Sequence, residues 1–285
     1  MNLLLKIAAL GARILPQELK KLLYHIPPLA KIIRNTLNAV APQGLMEVPI
    51  VAGELQGTIL LLDLQKEKDY WLGTYELDLQ AAAHKYCQPG MVVYDVGANI
   101  GYISLIFARL VGESGQVFAF ESLPKNVGRL KKNIALNHME KRVIIIPAAV
   151  VDRSGETSFL VHASGAMGKA QASAGRAEVY KQTISVPCVS LDDFIFKQEH
   201  SAPNLVKMDI EGGEVLAIEG MQRVLIEKRP TFFIELHGQE AVRIICEYLI
   251  KVNYKFFNME TGNPCTTDTA QLGEKAYIVA MPKKD

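Results

Sequence analysis

The stretch Val92–Ser104, VVYDVGANIGYIS, constrains the fold of this chain more than any other. An apolar run ends in Asp95, a turn of pattern G-x-N-x-G follows through Gly97, Ala98, Asn99 and Gly101, and a helical pattern starts at once. A buried strand feeding a small-residue turn and then a helix start is the opening of a nucleotide-cradling α/β unit. Glycine serves such a turn because a Cβ would collide with an approaching ligand. A dinucleotide fingerprint needs glycine at the first, third and sixth positions. Here the third is Asn99 and the sixth is Tyr102. A carboxylate at the strand end also disfavours a pyrophosphate and asks for a cation or a hydrogen-bond donor. S-adenosylmethionine (SAM) carries a sulfonium, an ammonium and a ribose diol, and no phosphate.

The rest of the chain extends that unit into alternation. Strands are expected at Met91–Val96, Gln116–Glu121, Arg142–Pro147, Asn204–Asp209 and Thr231–Leu236. Helical patterns follow at Gly101–Val111, Pro124–His138, Glu214–Gly220 and Gln239–Val252. Two closing strands, Tyr254–Met259 and Lys275–Met281, have no helix between them and suggest an antiparallel edge. The expected fold is α/β, a doubly wound, mostly parallel, seven-stranded sheet. Between the third and fourth strands, two alternating runs, Glu156–His162 and Lys181–Val189, flank an Ala/Gly/Ser-rich stretch at 163–179. That composition predicts a mobile insertion.

Three segments precede or make up this domain: a helical cap over 1–45, a β-hairpin over 46–66 and the α/β domain over 67–285. The hairpin is read from Val48–Val51 and Thr58–Asp63, and Glu76–Tyr86 reads as a helix. In the cap, Pro16 and Pro27-Pro28 separate three short helical stretches. Leu29, Ile32, Ile33, Leu37 and Val40 share one face of the third. The basic residues there are Lys6, Arg13, Lys20, Lys21, Lys31 and Arg34, against Glu18 as the only acid. Two readings are open: packing on the main domain or a second subunit, which makes a homo-oligomer, or a basic amphipathic surface touching an anionic membrane.

Composition narrows the class. A net charge of +1 and 7% aromatic residues give no nucleic-acid footprint. Cys87, Cys188, Cys246 and Cys265 form no CxxC pair, so four reduced thiols in a cytoplasmic protein are expected. No apolar run reaches the length of a spanning helix.

Ligands of open α/β sheets bind outside the carboxyl ends of the strands. Besides Asp95, those ends carry Glu121, about twenty residues beyond the turn, where an acid accepts from a ribose diol. They also carry Ala148 and Ala149, small enough for adenine to lie flat. The segment NLVKMDIEGGE crowds Asp209, Glu211 and Glu214 at one tip, with Lys207 just inside it. Such acids repel one another unless a positive group lies between them. Glu235 and His237 are two apart on a strand and so share a face.

With these residues in view, the chain resembles the FkbM family of class I SAM-dependent methyltransferases. The matching segments are GTYE at Gly73–Glu76, DVGANIGYIS at Asp95–Ser104, FAFESLPKN at Phe118–Asn126, SLDDF at Ser190–Phe194, KMDIEGGE at Lys207–Glu214 and RPTFFIELH at Arg229–His237. Ser122-Leu123-Pro124 departs from the pattern, which usually has proline straight after the acid. The resemblance implies a Rossmann-like fold and SAM as methyl donor. It implies a hydroxyl acceptor on a sugar, glycolipid or related metabolite. It further implies that Asp95, Gly97, Asn99 and Gly101 frame SAM, that Glu121 holds the ribose, and that Tyr75 and Glu76 close over the cofactor.

An alcohol needs help to lose its proton. His237 as general base, oriented by Glu235 or Glu211, is the preferred arrangement. The other is Mg²⁺ or Mn²⁺ held by Asp209, Glu211, Glu235 or His237. An N-methyltransferase, or a weakly catalytic SAM-fold membrane adaptor, are the competing functions.

Overall fold

The computed structural model of the chain describes residues 3–16, 19, 26–162, 168–171, 180–265 and 275–283. Most of the second helical stretch, and all of 163–179 except 168–171, lie outside the described residues. The elements in chain order are α1 (Leu3–Ile14), α2 (Pro27–Val40), β1 (Leu45–Pro49), β2 (Ile59–Asp63), α3 (Lys68–Leu72) and α4 (Leu77–Tyr86). Then come β3 (Val92–Val96), α5 (Tyr102–Val111), β4 (Gln116–Phe120), α6 (Pro124–Leu136), β5 (Val143–Ile146) and β6 (Ala149–Val150). They are followed by β7 (Gly155–His162), β8 (Gly168–Ala170), β9 (Tyr180–Val189), α7 (Leu191–Phe196), β10 (Leu205–Met208) and α8 (Glu214–Glu219). A π-helical turn at Val224–Lys228 leads to β11 (Thr231–His237), α9 (Gln239–Lys251), β12 (Tyr254–Asn258) and β13 (Lys275–Pro282).

Contacts gather the chain into two compact units, Met1–Ala81 with Lys132–Met139, and Ala82–Lys131 with Glu140–Asp285. In the first unit, β1 and β2 pair antiparallel, with Leu45 opposite Asp63, so the first strand begins three residues before the expected Val48–Val51 run. The free edge of β2 is covered by two asparagines one helical turn apart. Asn133 Oδ1 accepts from the Leu61 amide at 2.7 Å and Asn137 Oδ1 from the Ile59 amide at 3.0 Å. An edge so occupied cannot recruit a foreign strand. The face expected on α2 is only partly buried: Leu37 is buried, whereas Ile32 and Ile33 are exposed. Apolar periodicity marks a face there without saying what covers it.

The second unit holds the seven-stranded sheet, in the order β12-β13-β11-β10-β3-β4-β5. β13 runs antiparallel to both β11 and β12, and the neighbours from β11 to β5 are parallel. β10 is buried at every residue, as befits a central parallel strand covered on both faces. Val96, Phe120, Met208, Ile234 and Ile278 belong to the main core cluster. Tyr94 packs its ring edge against Phe118 and Phe194 in that cluster.

The region around the expected insertion is more ordered than its composition suggested. β6, β9, β7 and β8 form a second, four-stranded sheet, with β7 antiparallel to both β9 and β8. Gly168–Ala170, inside the stretch expected to be mobile, is thus a strand paired with Phe159–Val161. Phe159 and Ala170 give that sheet a small apolar cluster of its own with Val186 and Cys188. The short helix α7 was not anticipated, although its start is written in SLDD. The Ser190 side chain caps it by accepting from the Asp193 amide.

Candidate active site

The turn after β3 is built by backbone close approach. Gly97 has φ +82°, and a Cβ there would lie 2.0 Å from the carbonyl oxygen of Asp209. Its neighbour at this point is therefore the protein's own β10 tip. The Gly97 and Ala98 amides both donate to the Phe120 carbonyl, at 3.0 and 2.9 Å. Asn99 and Gly101 also take left-handed φ values, 51° and 88°. Asparagine is among the few residues besides glycine that visit this region readily. Asn99 therefore stands where a dinucleotide fingerprint has glycine.

Glu121 closes the turn from the end of β4. Its Oε2 accepts from the Asn99 amide at 2.9 Å and its Oε1 from the Leu123 amide at 2.8 Å. The carboxyl is buried, and burial pushes its pKa up to about 7, with those amides and the Asn126 side chain pulling the other way.

Asp95 is fully buried, and the donor and cation it calls for come from within the chain. Its Oδ2 accepts from Ser104 Oγ at 2.6 Å, in the first turn of α5. Its Oδ1 lies 3.4 Å from Lys207 Nζ. Lys207 is the register partner of Asp95 on the neighbouring strand, so both side chains leave the sheet on one face. Lys207 Nζ also donates to the Gly97 carbonyl at 3.0 Å and lies 3.8 Å from Asp209 Oδ2. A lysine inside an apolar buried strand is a charge that requires an anion, and that was the available signal for this role. Asp95 thus shapes the Gly97–Gly101 turn through Lys207 and Ser104.

The tips of β10 and β11 bring the remaining acids to one imidazole. His237 Nε2 lies 2.9 Å from Glu235 Oε1 and 3.6 Å from Glu211 Oε2. His237 Nδ1 lies 3.1 Å from Glu214 Oε1. Burial alone would depress the pKa of this ring, but hydrogen bonds and charge from Glu214 and Glu235 outweigh it and lift it to about 10. Both ring nitrogens face carboxylates, which favours the protonated ring and works against the general-base role expected for His237. Glu214 is completely buried and holds the ring in place. Its Oε1 also accepts from the Gly212 amide at 3.1 Å. Glu211 is held in the left-handed region at φ 53°.

Five carboxylates thus share two cations: Asp95 and Asp209 lie against Lys207, and Glu211, Glu214 and Glu235 against His237. The side chains of Asp209 and Glu211 are open to solvent at 20% and 33%, while those of Asp95, Glu214 and Glu235 are at 8% or less. Among the described residues these acids outnumber the two cations, and a site of that charge suits a cationic ligand. One ligand atom each from Asp209, Glu211 and His237 lie within 4.8 Å of one another, a donor set suited to Mg²⁺ or Mn²⁺.

Ala148 packs into the main core cluster and Ala149 into the small one, so neither presents an open face of any size. Tyr75 and Glu76 belong to the first unit. There the Tyr75 ring lies 4.3 Å from that of Tyr70, its carbonyl accepts from Gln80 Nε2 at 2.5 Å, and Glu76 takes φ 47°.

Residues 95–256 match the family described as the methyltransferase FkbM domain. The chain is 26% identical over 198 residues to the hexuronic acid methyltransferase AglP of Haloferax volcanii, covering 68% of this chain and 77% of that protein. It is 27% identical over 207 residues to the 31-O-demethyl-FK506 methyltransferase FkbM of Streptomyces tacrolimicus, covering 64% and 74%. A crystal structure of the methyltransferase FkbM from Methylobacillus flagellatus superposes with a TM-score of 0.46 at 17% identity, over 88% of this chain and 60% of that one.

Proposed function

The chain belongs to the FkbM methyltransferase family, and from that premise we propose that it transfers the methyl group of SAM to a hydroxyl oxygen of a sugar, glycolipid or related secondary metabolite. SAM dependence comes with the family. The oxygen acceptor is the finer reading. It is supported by the relatives named for a hexuronic acid and for a 31-O-demethyl compound.

Bound SAM supplies an already activated methyl, so the protein's task is positioning and proton handling. In this reading, the turn Gly97–Gly101 cradles the donor and the Glu121 carboxylate accepts from its ribose diol. The excess negative charge around Asp209 and Glu211 favours the positive sulfonium and ammonium. The acceptor hydroxyl lies against Asp209 and Glu211. As its oxygen forms the new C–O bond and the S–CH₃ bond breaks, one of these carboxylates takes the hydroxyl proton. The leaving group is the neutral thioether. His237, held as a cation, fixes Glu211 and Glu235 and limits their mutual repulsion.

The single observation that carries this assignment is that Asp209 and Glu211 are the half-open carboxylates of the cluster. A second reading is favoured by the donor set Asp209, Glu211 and His237. With the His237 ring deprotonated, those residues would hold Mg²⁺ or Mn²⁺, which would lower the pKa of the acceptor hydroxyl.

The test is incubation with deuteromethyl-SAM and a panel of uronic acids and hydroxylated metabolites, with mass spectrometry of the products. Label on oxygen, lost in Glu211→Gln or Asp209→Asn, is the expected result. Label on nitrogen refutes the oxygen reading. Exhaustive EDTA treatment separates the two routes, because full activity afterwards excludes the metal.

A further inference from the structure

We infer that helix α1 is a docking face for an anionic phospholipid surface. The helix is apolar on two opposite sides. Leu5, Ala9 and Ala12 are buried and fasten it to the first unit. On the other side Leu3, Ile7, Leu10 and Ile14 recur at spacings of four, three and four, the period of one helical face. These four are 71%, 57%, 56% and 69% exposed. Nine of the thirteen large apolar side chains that stand exposed among the described residues fall between Leu3 and Ile33. Isolated exposed leucines need no explanation, but a continuous stripe marks a contact surface.

Charge selects the partner. Helices α1 and α2 carry Lys6, Arg13, Lys31 and Arg34 and no acid. Lys6 is exposed and stands one residue before Ile7, at the margin of the stripe. An anionic bilayer offers an apolar boundary for the isoleucines and leucines, with negative headgroups around it for the basic residues. A second copy of the chain would set one basic apolar face against another and repel it. The buried side fixes the attitude of the helix. Because Leu5, Ala9 and Ala12 are committed to protein, α1 lies along a surface. Arg13 Nε adds a hydrogen bond of 2.9 Å to the Val51 carbonyl, which keeps the stripe turned outward. This inference is independent of the reaction the enzyme performs.

The test is flotation of the full chain with vesicles of phosphatidylcholine alone, or with added phosphatidylserine. The comparison is a double variant, Ile7→Asp with Leu10→Asp. Both positions are exposed, so circular dichroism and SAM binding should match the wild type. The expected result is binding to the phosphatidylserine vesicles that falls with added salt, and that drops about tenfold or more in the variant. Three results overturn the inference. One is no flotation of folded wild type. Another is equal binding to neutral vesicles. The third is self-association in sedimentation, abolished by the same variant, without vesicle binding.

Discussion

Glu121 makes SAM affinity depend on pH in a calculable way. In the free protein its carboxyl is buried and its pKa stands at about 7, against 4.5 for an unperturbed glutamate. A ribose diol donates hydrogen bonds, and an ionised carboxylate is the form that accepts both. SAM therefore selects ionised Glu121, and below pH 7 binding expels a proton. With a pKa of 7, the apparent dissociation constant scales as one plus the ratio of protonated to ionised carboxyl, so it falls about 25-fold between pH 5.5 and 7.5. Proton release is about 0.9 per SAM at pH 6 and about a quarter at pH 7.5. Titration calorimetry in two buffers of different ionisation enthalpy reads both quantities. Glu121→Gln should bind more weakly at pH 7.5 and lose the pH dependence. The same group acts on stability with a definite sign. Its folded pKa is raised, so its contribution is fully present below about pH 4.5 and is lost as the pH rises through 7, about 3 kcal/mol in all. A wild-type affinity constant within twofold across this window, with no buffer-dependent heat, refutes the assignment of Glu121 to the ribose.

Three further outcomes follow from the same geometry. Gly97→Ala combines a φ of +82° with a 2.0 Å approach to the Asp209 carbonyl, and should cost about 2–4 kcal/mol in a denaturant melt while abolishing SAM binding. Lys207→Met leaves Asp95 buried without its cation and should cost about 3–5 kcal/mol. Adding Asp95→Asn should recover part of that loss, and additive costs in this double-mutant cycle would disprove the pairing. Glu211→Gly removes a carboxylate but relieves a left-handed backbone. Stability should move by less than about 1 kcal/mol, while the methyl-transfer rate falls about 100-fold or more.

Much of the fold was legible because the central strands are continuous apolar runs and α2 and α6 open on prolines. The alternation from Met91 to Met281 predicts all seven strands of the main sheet. The donor-side turn was legible from its glycines. Three features were less so, each for a physical reason. Gly168, Lys169 and Ala170 carry no strand signature, and pairing with β7 supplies what their side chains do not. The protonation state of His237 depends on which groups converge on it across 23 residues of sequence separation, as with Glu214. Lys207 and Asp95 are more than a hundred residues apart, and only strand register brings them together.

The contact between Gly97 and the Asp209 carbonyl bears on how this enzyme could change its acceptor. The Gly97–Gly101 turn and the base of the acid-bearing tip share one seam of main chain, so neither shifts without the other. Variation in acceptor preference would then accumulate in parts that do not cross that seam, among them the second sheet between β5 and β10. An attempt to transplant 209–214 from a relative should keep the glycine opposite it, since the two sides of the seam travel as one piece.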